Sequence, residues 1–191
     1  MVRSLLIGRK TQTRRVVKGA PPAGTTDFIR YHHPDDELGA RPFFWAWGAD
    51  PDHPDAECIL DFALPCPYGA PGDLLWVRET WARHADGVTY RADFDETSFA
   101  ATGGIAWRPS IHMPRALARI TLRITEVRVE QLQRITEADA RCEGVDEIRA
   151  RVPTCRDAYR LLWDDIHGAG AWDGNPWVWV VAFERARELP A

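Results

Sequence analysis

Ala118-Arg119-Ile120-Thr121-Leu122-Arg123-Ile124-Thr125-Glu126-Val127-Arg128-Val129 is the stretch that decides the architecture. Ala118, Ile120, Leu122 and Ile124 alternate with Arg119, Thr121, Arg123 and Thr125. That period of two marks a strand with one face in a core and the other in water. Val127 and Val129 continue the alternation in the opposite phase. The core face survives such a change only if one extra residue is inserted, so a bulge is expected near Thr125 and Glu126.

Downstream, Thr136 followed by Glu137, Ala138 and Asp139 reads as an N-cap with an acidic first turn, and Gly144 as the helix stop after Glu143. A second helix is capped by Thr154 with Asp157 three residues on, carries Ala158, Leu161, Leu162 and Ile166 on its apolar face, and stops at Gly168. Trp177 to Phe183 is apolar on both faces, as a buried central strand should be. Upstream, Val2, Leu5 and Leu6 recur at helical spacing before Gly8, and Thr11 to Val17 reads as extended. The turn-rich run Cys66 to Asp73 leads into a strand at Leu74 to Val77.

Two segments break the pattern into Pro, Gly, Asp and aromatics, at about 19–64 and 82–110, and both read as insertions. The elements together describe one α+β domain over residues 1–191, a small curved β-barrel with flanking helices and two long insertions.

Of the 24 basic residues, Arg3, Arg9, Lys10, Arg14, Arg15 and Lys18 fall in the first 18 positions with no acid among them, leaving 18 basic against 28 acidic residues elsewhere. That imbalance argues against a nonspecific nucleic-acid clamp and leaves room for one local anionic site. Lys10 and Lys18 are the only lysines against 22 arginines. A lysine retained in such a composition supplies a titratable amine, which Arg does not. Cys58, Cys66, Cys142 and Cys155 include no Cys-x-x-Cys pair, and with His32, His33 and His53 they match no metal-ligand spacing, so reduced thiols and no metal are expected. No stretch approaches a membrane span or a signal peptide, which implies a soluble, cytoplasmic protein.

Gly8-Arg9-Lys10-Thr11-Gln12-Thr13-Arg14-Arg15 resembles the Gly-x-Lys-Thr-x-Thr-x-Arg signature of the ASCH domain, a β-barrel relative of the PUA RNA-binding fold. Pro71-Gly72-Asp73, Trp76-Val77-Arg78-Glu79, Ser110-Ile111-His112-Met113-Pro114-Arg115 and Asn175-Pro176-Trp177-Val178-Trp179 extend the resemblance to phage and prophage ASCH proteins along almost the whole chain. Small bacterial members are amidohydrolases that deacetylate N4-acetylcytidine through a Lys, a Thr and a Glu. The resemblance maps these onto Lys10, Thr13 and, through a Thr-Glu-x-x-Ala-x-x-Glu pattern starting at Thr136, Glu143. It implies no cofactor. Unlike the small enzymes, this chain begins almost at the first helix, so either its start is placed late or the barrel lacks an edge strand that a second copy in a homodimer would cover; the two insertions, also absent from the small enzymes, bear on the pocket mouth and the substrate.

Amide hydrolysis needs a nucleophile, a base and a donor for the developing oxyanion. Thr13 would attack or position water, Lys10 would accept a proton as a neutral amine, and Glu143 would hold Lys10 or relay a proton to the leaving amine. On a regular strand Lys10 and Thr13 would face opposite ways, so the turn must extend through about Lys10 or Thr11. Arg9, Arg14, Arg15, Glu79, Trp81, Tyr90, Trp107, His112 and Arg115 are the candidate substrate-binding residues. Each has a plainer role open to it: solvated charges for Lys10 and Glu143, an ion pair with an arginine for Glu79, core packing for the tryptophans. The competing function is a PUA-like RNA-binding module, or a ribonuclease, using Arg9, Arg14 and Arg15 on phosphates.

Overall fold

The computed structural model describes residues 2–19, 28–31, 44–47, 64–94, 105–145 and 152–186. His32, His33, His53 and Cys58 lie outside the described residues, and the thiols of Cys66, Cys142 and Cys155 are free.

Helix α1 (Val2–Leu6) ends at Gly8, whose φ of +72° an L side chain adopts only under strain. Residues 7–11 form the turn, and β1 (Gln12–Val16) begins beyond it. Strands β2 (Phe28–Tyr31), β3 (Phe44–Trp47) and β4 (Leu64–Pro65) pair antiparallel in a small sheet. The main sheet comprises β5 (Leu74–Trp76), β8 (Thr121–Gln131), β9 (Trp177–Arg185) and β1, antiparallel throughout in the order β1-β9-β8-β5. It curls into a half-barrel. Helices α2 (Glu137–Cys142) and α3 (Cys155–His167) separate β8 from β9.

The pairing of β8 with β9 slips between Ile124 and Glu126, so Thr125 is the inserted residue. Leu122, Ile124, Val127 and Val129 therefore enter one core, with Leu5, Val17, Trp177, Trp179, Val181 and Phe183. The paired strand starts at Thr121, after a 3-10 turn at Arg115–Leu117, and not at Ala118 as the alternation alone suggested. Central strand β9 is buried on both faces: Val178 and Val180 pack into a second core with Ala140, Cys155, Ala158, Tyr159, Trp163 and Trp172.

Two readings change. The segment read as an insertion at about 82–110 opens with a regular hairpin, β6 (Trp81–His84) and β7 (Gly87–Tyr90), registered Trp81 to Tyr90 and turning at Ala85-Asp86. Gly87, the first residue after the turn, has a φ of +145°, a backbone that L side chains rarely adopt. On α3 the buried residues are Cys155, Ala158, Tyr159 and Trp163, whereas Leu161 and Ile166, assigned to the apolar face, are 46% and 54% exposed. The aromatic side chains at Tyr159 and Trp163 set the rotation of the helix on the sheet, because they bury the largest apolar area. Among the described residues, no helix is long and apolar enough to cross a membrane.

Candidate functional site

The caps expected from sequence position α2. Thr136 Oγ1 accepts from the Asp139 amide at 3.1 Å, the Thr136 amide donates to the Asp139 carboxylate, and Gly144 leaves the helix at φ +76°. This brings Glu143, at the helix C-cap, against the turn that carries Lys10.

Lys10 and Glu143 meet in a buried ion pair. Lys10 Nζ donates to Glu143 Oε2 at 2.8 Å, to the Glu143 carbonyl at 3.0 Å and to the Gln12 carbonyl at 2.8 Å, so all three ammonium hydrogens have acceptors. Burial draws the Lys10 amine below its ordinary range, Glu143 opposes that, and Arg15 and Arg14 reinforce it. The other Glu143 oxygen, Oε1, accepts from Arg14 Nη1 at 3.0 Å. Arg14 also donates to Glu130 Oε1, from Nη2 at 2.6 Å and from Nε at 3.1 Å, and lies 3.6 Å from Asp139. Arg128 bonds Glu130 and Asp139 in turn, and the Gln12 amide donates to Asp139. Cations and carboxylates thus alternate from β1 through α2 to β8, the arrangement that makes charge burial tolerable.

A cavity of about 230 Å³ lies beside this cluster, lined by Thr13, Arg14, Arg15 and Glu143 on one side and by Tyr159, Leu162, Trp163, Ile166 and His167 of α3 on the other. The register explains how three consecutive strand residues reach it. Thr13 pairs with Val181 and Arg14 with Val180, so their side chains take opposite faces, and β1 is an edge strand of the sheet, open on the side away from β9. Two carbonyls there are already satisfied by side chains, Gln12 by Lys10 and Arg14 by Arg15 Nη1 at 2.9 Å. The turn reaches Thr11, as a shared Lys10 and Thr13 site requires. Lys10 itself is not among the lining residues; it approaches the cavity through Glu143.

The remaining candidates gather elsewhere. Glu79, 1% exposed, receives two parallel bonds of 2.9 Å from Arg119, which also binds Asp93 and stacks 4.1 Å above the Tyr90 ring. Tyr90 donates its hydroxyl to the Leu117 carbonyl at 2.7 Å. Trp81 is buried beneath Arg108, Trp107 meets Phe94 edge-on, and His112 and Arg115 sit exposed in 3-10 turns. None of these residues lines the cavity. Arg9 is exposed. Arg14, 1% exposed, has its guanidinium committed to Glu130 and Glu143, so of the three arginines assigned to phosphate it is the one placed for holding carboxylates. Glu130, Asp139, Arg128 and Tyr159 went unassigned in the sequence; only Asp139 carried a signal, and that signal was for a helix cap.

No family model, curated protein or solved structure matches the chain. Among the described residues no cluster of His, Cys, Asp and Glu is placed to hold a metal ion.

Proposed function

We propose that the chain is an ASCH-type amidohydrolase of the cytoplasm that removes the acetyl group of N4-acetylcytidine or a similar N-acylated pyrimidine nucleoside. The supporting observation is the meeting of Thr13 and Glu143, distant in sequence, on one cavity with Lys10 clamping Glu143 from behind. A polar wall facing an aromatic and aliphatic one suits a flat heterocycle with a hydrogen-bonding edge. With Lys10 an ammonium, the proton acceptor of the pair is the carboxylate. Glu143 therefore takes a proton from water held at Thr13 and returns it to the departing N4, while Lys10 and Arg14 fix the carboxylate. The alternative of phosphate recognition by Arg9, Arg14 and Arg15 has less support, because Arg14 is internally paired.

The test is incubation with N4-acetylcytidine and chromatographic detection of cytidine, with Lys10→Ala, Thr13→Val and Glu143→Gln alongside. Release by the wild type and its loss in Glu143→Gln are expected. No release at high enzyme concentration overturns the substrate, and undiminished release by all three variants overturns the site.

A further inference from the structure

Among the polar groups lining the cavity, the Tyr159 hydroxyl is a buried one to which the proposed hydrolysis assigns no role. Tyr159 is 4% exposed and lines the cavity from α3. Its ring is fixed from three sides, by Trp163 at 6.1 Å, by Trp172 at 6.3 Å and by the Arg14 guanidinium 5.8 Å from the ring centre. The hydroxyl has no hydrogen-bond partner among the described residues, although a buried tyrosine ordinarily finds one. Nor is it sealed in: the only fully buried side-chain nitrogens or oxygens without a partner, among the described residues, are the indole nitrogens of Trp81 and Trp163. An oriented, desolvated O–H thus remains beside the cavity with nothing among the described residues to receive it.

We infer that Tyr159 is a catalytic residue, donating its hydroxyl hydrogen to the acyl oxygen as negative charge develops there. This rests on the amidohydrolase reading and completes it. The buried cations that would otherwise meet an oxyanion are engaged, Lys10 with three acceptors and Arg14 with Glu130 and Glu143. Attack by water forms the new C–O bond and moves the carbonyl π pair onto oxygen, where the Tyr159 hydroxyl meets it. The water proton passes to Glu143. When the intermediate collapses, the C=O bond reforms, the C–N4 bond breaks, and N4 takes the proton from Glu143. Cytidine and acetic acid leave, and no other reactant is consumed. Burial and the Glu143 carboxylate raise the tyrosine pKa well above its ordinary value, so the hydroxyl stays a donor at every working pH. A donor already held in place by the packing of its ring acts on the transition state without reorganising.

Tyr159→Phe removes the oxygen and keeps the ring. With N4-acetylcytidine its kcat is expected to fall about 100- to 1,000-fold, with KM within about threefold, as for loss of one oxyanion donor. A phosphonamidate analogue of N4-acetylcytidine, which presents a tetrahedral anionic centre, should lose affinity in parallel, while cytidine binds both proteins equally. A wild type that turns over and a variant with unchanged kcat would overturn the role of Tyr159 and leave the amidohydrolase standing. Equal loss of cytidine and analogue affinity would reduce Tyr159 to a wall of the cavity and overturn the assignment. No turnover by the wild type would overturn the amidohydrolase and the donor together.

Discussion

Glu143→Gln removes one charge from the centre of the buried network, and the contacts of the two carboxylate oxygens determine the cost. In the native protein each oxygen serves one cation, Oε2 for Lys10 at 2.8 Å and Oε1 for Arg14 at 3.0 Å. Glutamine offers one oxygen and turns an NH₂ toward the other cation. Arg14 keeps Glu130 at 2.6 Å and Asp139 at 3.6 Å, so the amide oxygen is more useful to Lys10 and the NH₂ faces Arg14. Lys10 then retains only neutral acceptors around a side chain that is 4% exposed. Removing one partner of a buried ion pair costs about 3–5 kcal/mol, and that is the loss of stability expected here. Urea unfolding followed by tryptophan fluorescence measures it. Converting Lys10→Met in the same chain removes the stranded cation, so the double variant should recover about 2 kcal/mol relative to the sum of the two single losses. A loss below about 1 kcal/mol for Glu143→Gln, or strict additivity in the cycle, would refute the claim that this pair is held together by burial.

Gly144→Ala places a Cβ 3.0 Å from Ser4 Cβ and 3.1 Å from Lys10 Cβ at φ +76°, so it should destabilise by about 2 kcal/mol and reduce deacetylation, whereas Gly8→Ala, at φ +72° with nothing within 4 Å, should cost only about 1 kcal/mol; urea midpoints compare them. Asp139 has burial raising its pKa, but hydrogen bonds from Thr136 and Gln12 and the charges of Arg14 and Arg128 carry it below the ordinary 3.8. Its stabilisation is therefore complete above that value and is lost as pH falls through the lower folded pKa, and Asp139→Asn should flatten the acid limb of a stability profile. Arg119→Ala leaves Glu79 buried without its bidentate partner and should cost about 3 kcal/mol in chemical denaturation, with kcat for the cavity substrate unchanged.

Much of the fold was legible in the sequence, because it rests on local patterns. The alternation of residues 118–129 specified both the strand and its bulge, and Thr136, Gly144, Thr154 and Gly168 marked helix ends that the structure uses. The hairpin at Trp81–Tyr90 was not legible, because two short half-buried strands carry little periodicity. The alternating charges around Arg14 were not legible. Glu130, Asp139 and Arg128 look like surface residues of a strand and a cap, and only the pairing of β1 with β9, and of β9 with β8, lines them up. Tyr159 was hidden in the same way, since a helical tyrosine shows its free hydroxyl only when its surroundings are known.

Thr125 has an exposed side chain and stands opposite no residue of β9, yet it sets the polarity of everything after it. Were it paired opposite Ala182 instead of bulged out, Glu126, Arg128 and Glu130 would trade faces with Val127, Val129 and Gln131, driving three charges into the apolar core and taking from Arg14 its 2.6 Å partner. The length of β8 is therefore as constrained as its composition: one further residue inserted beside Thr125 and taken into the pairing would disable the charge cluster without altering any of its members.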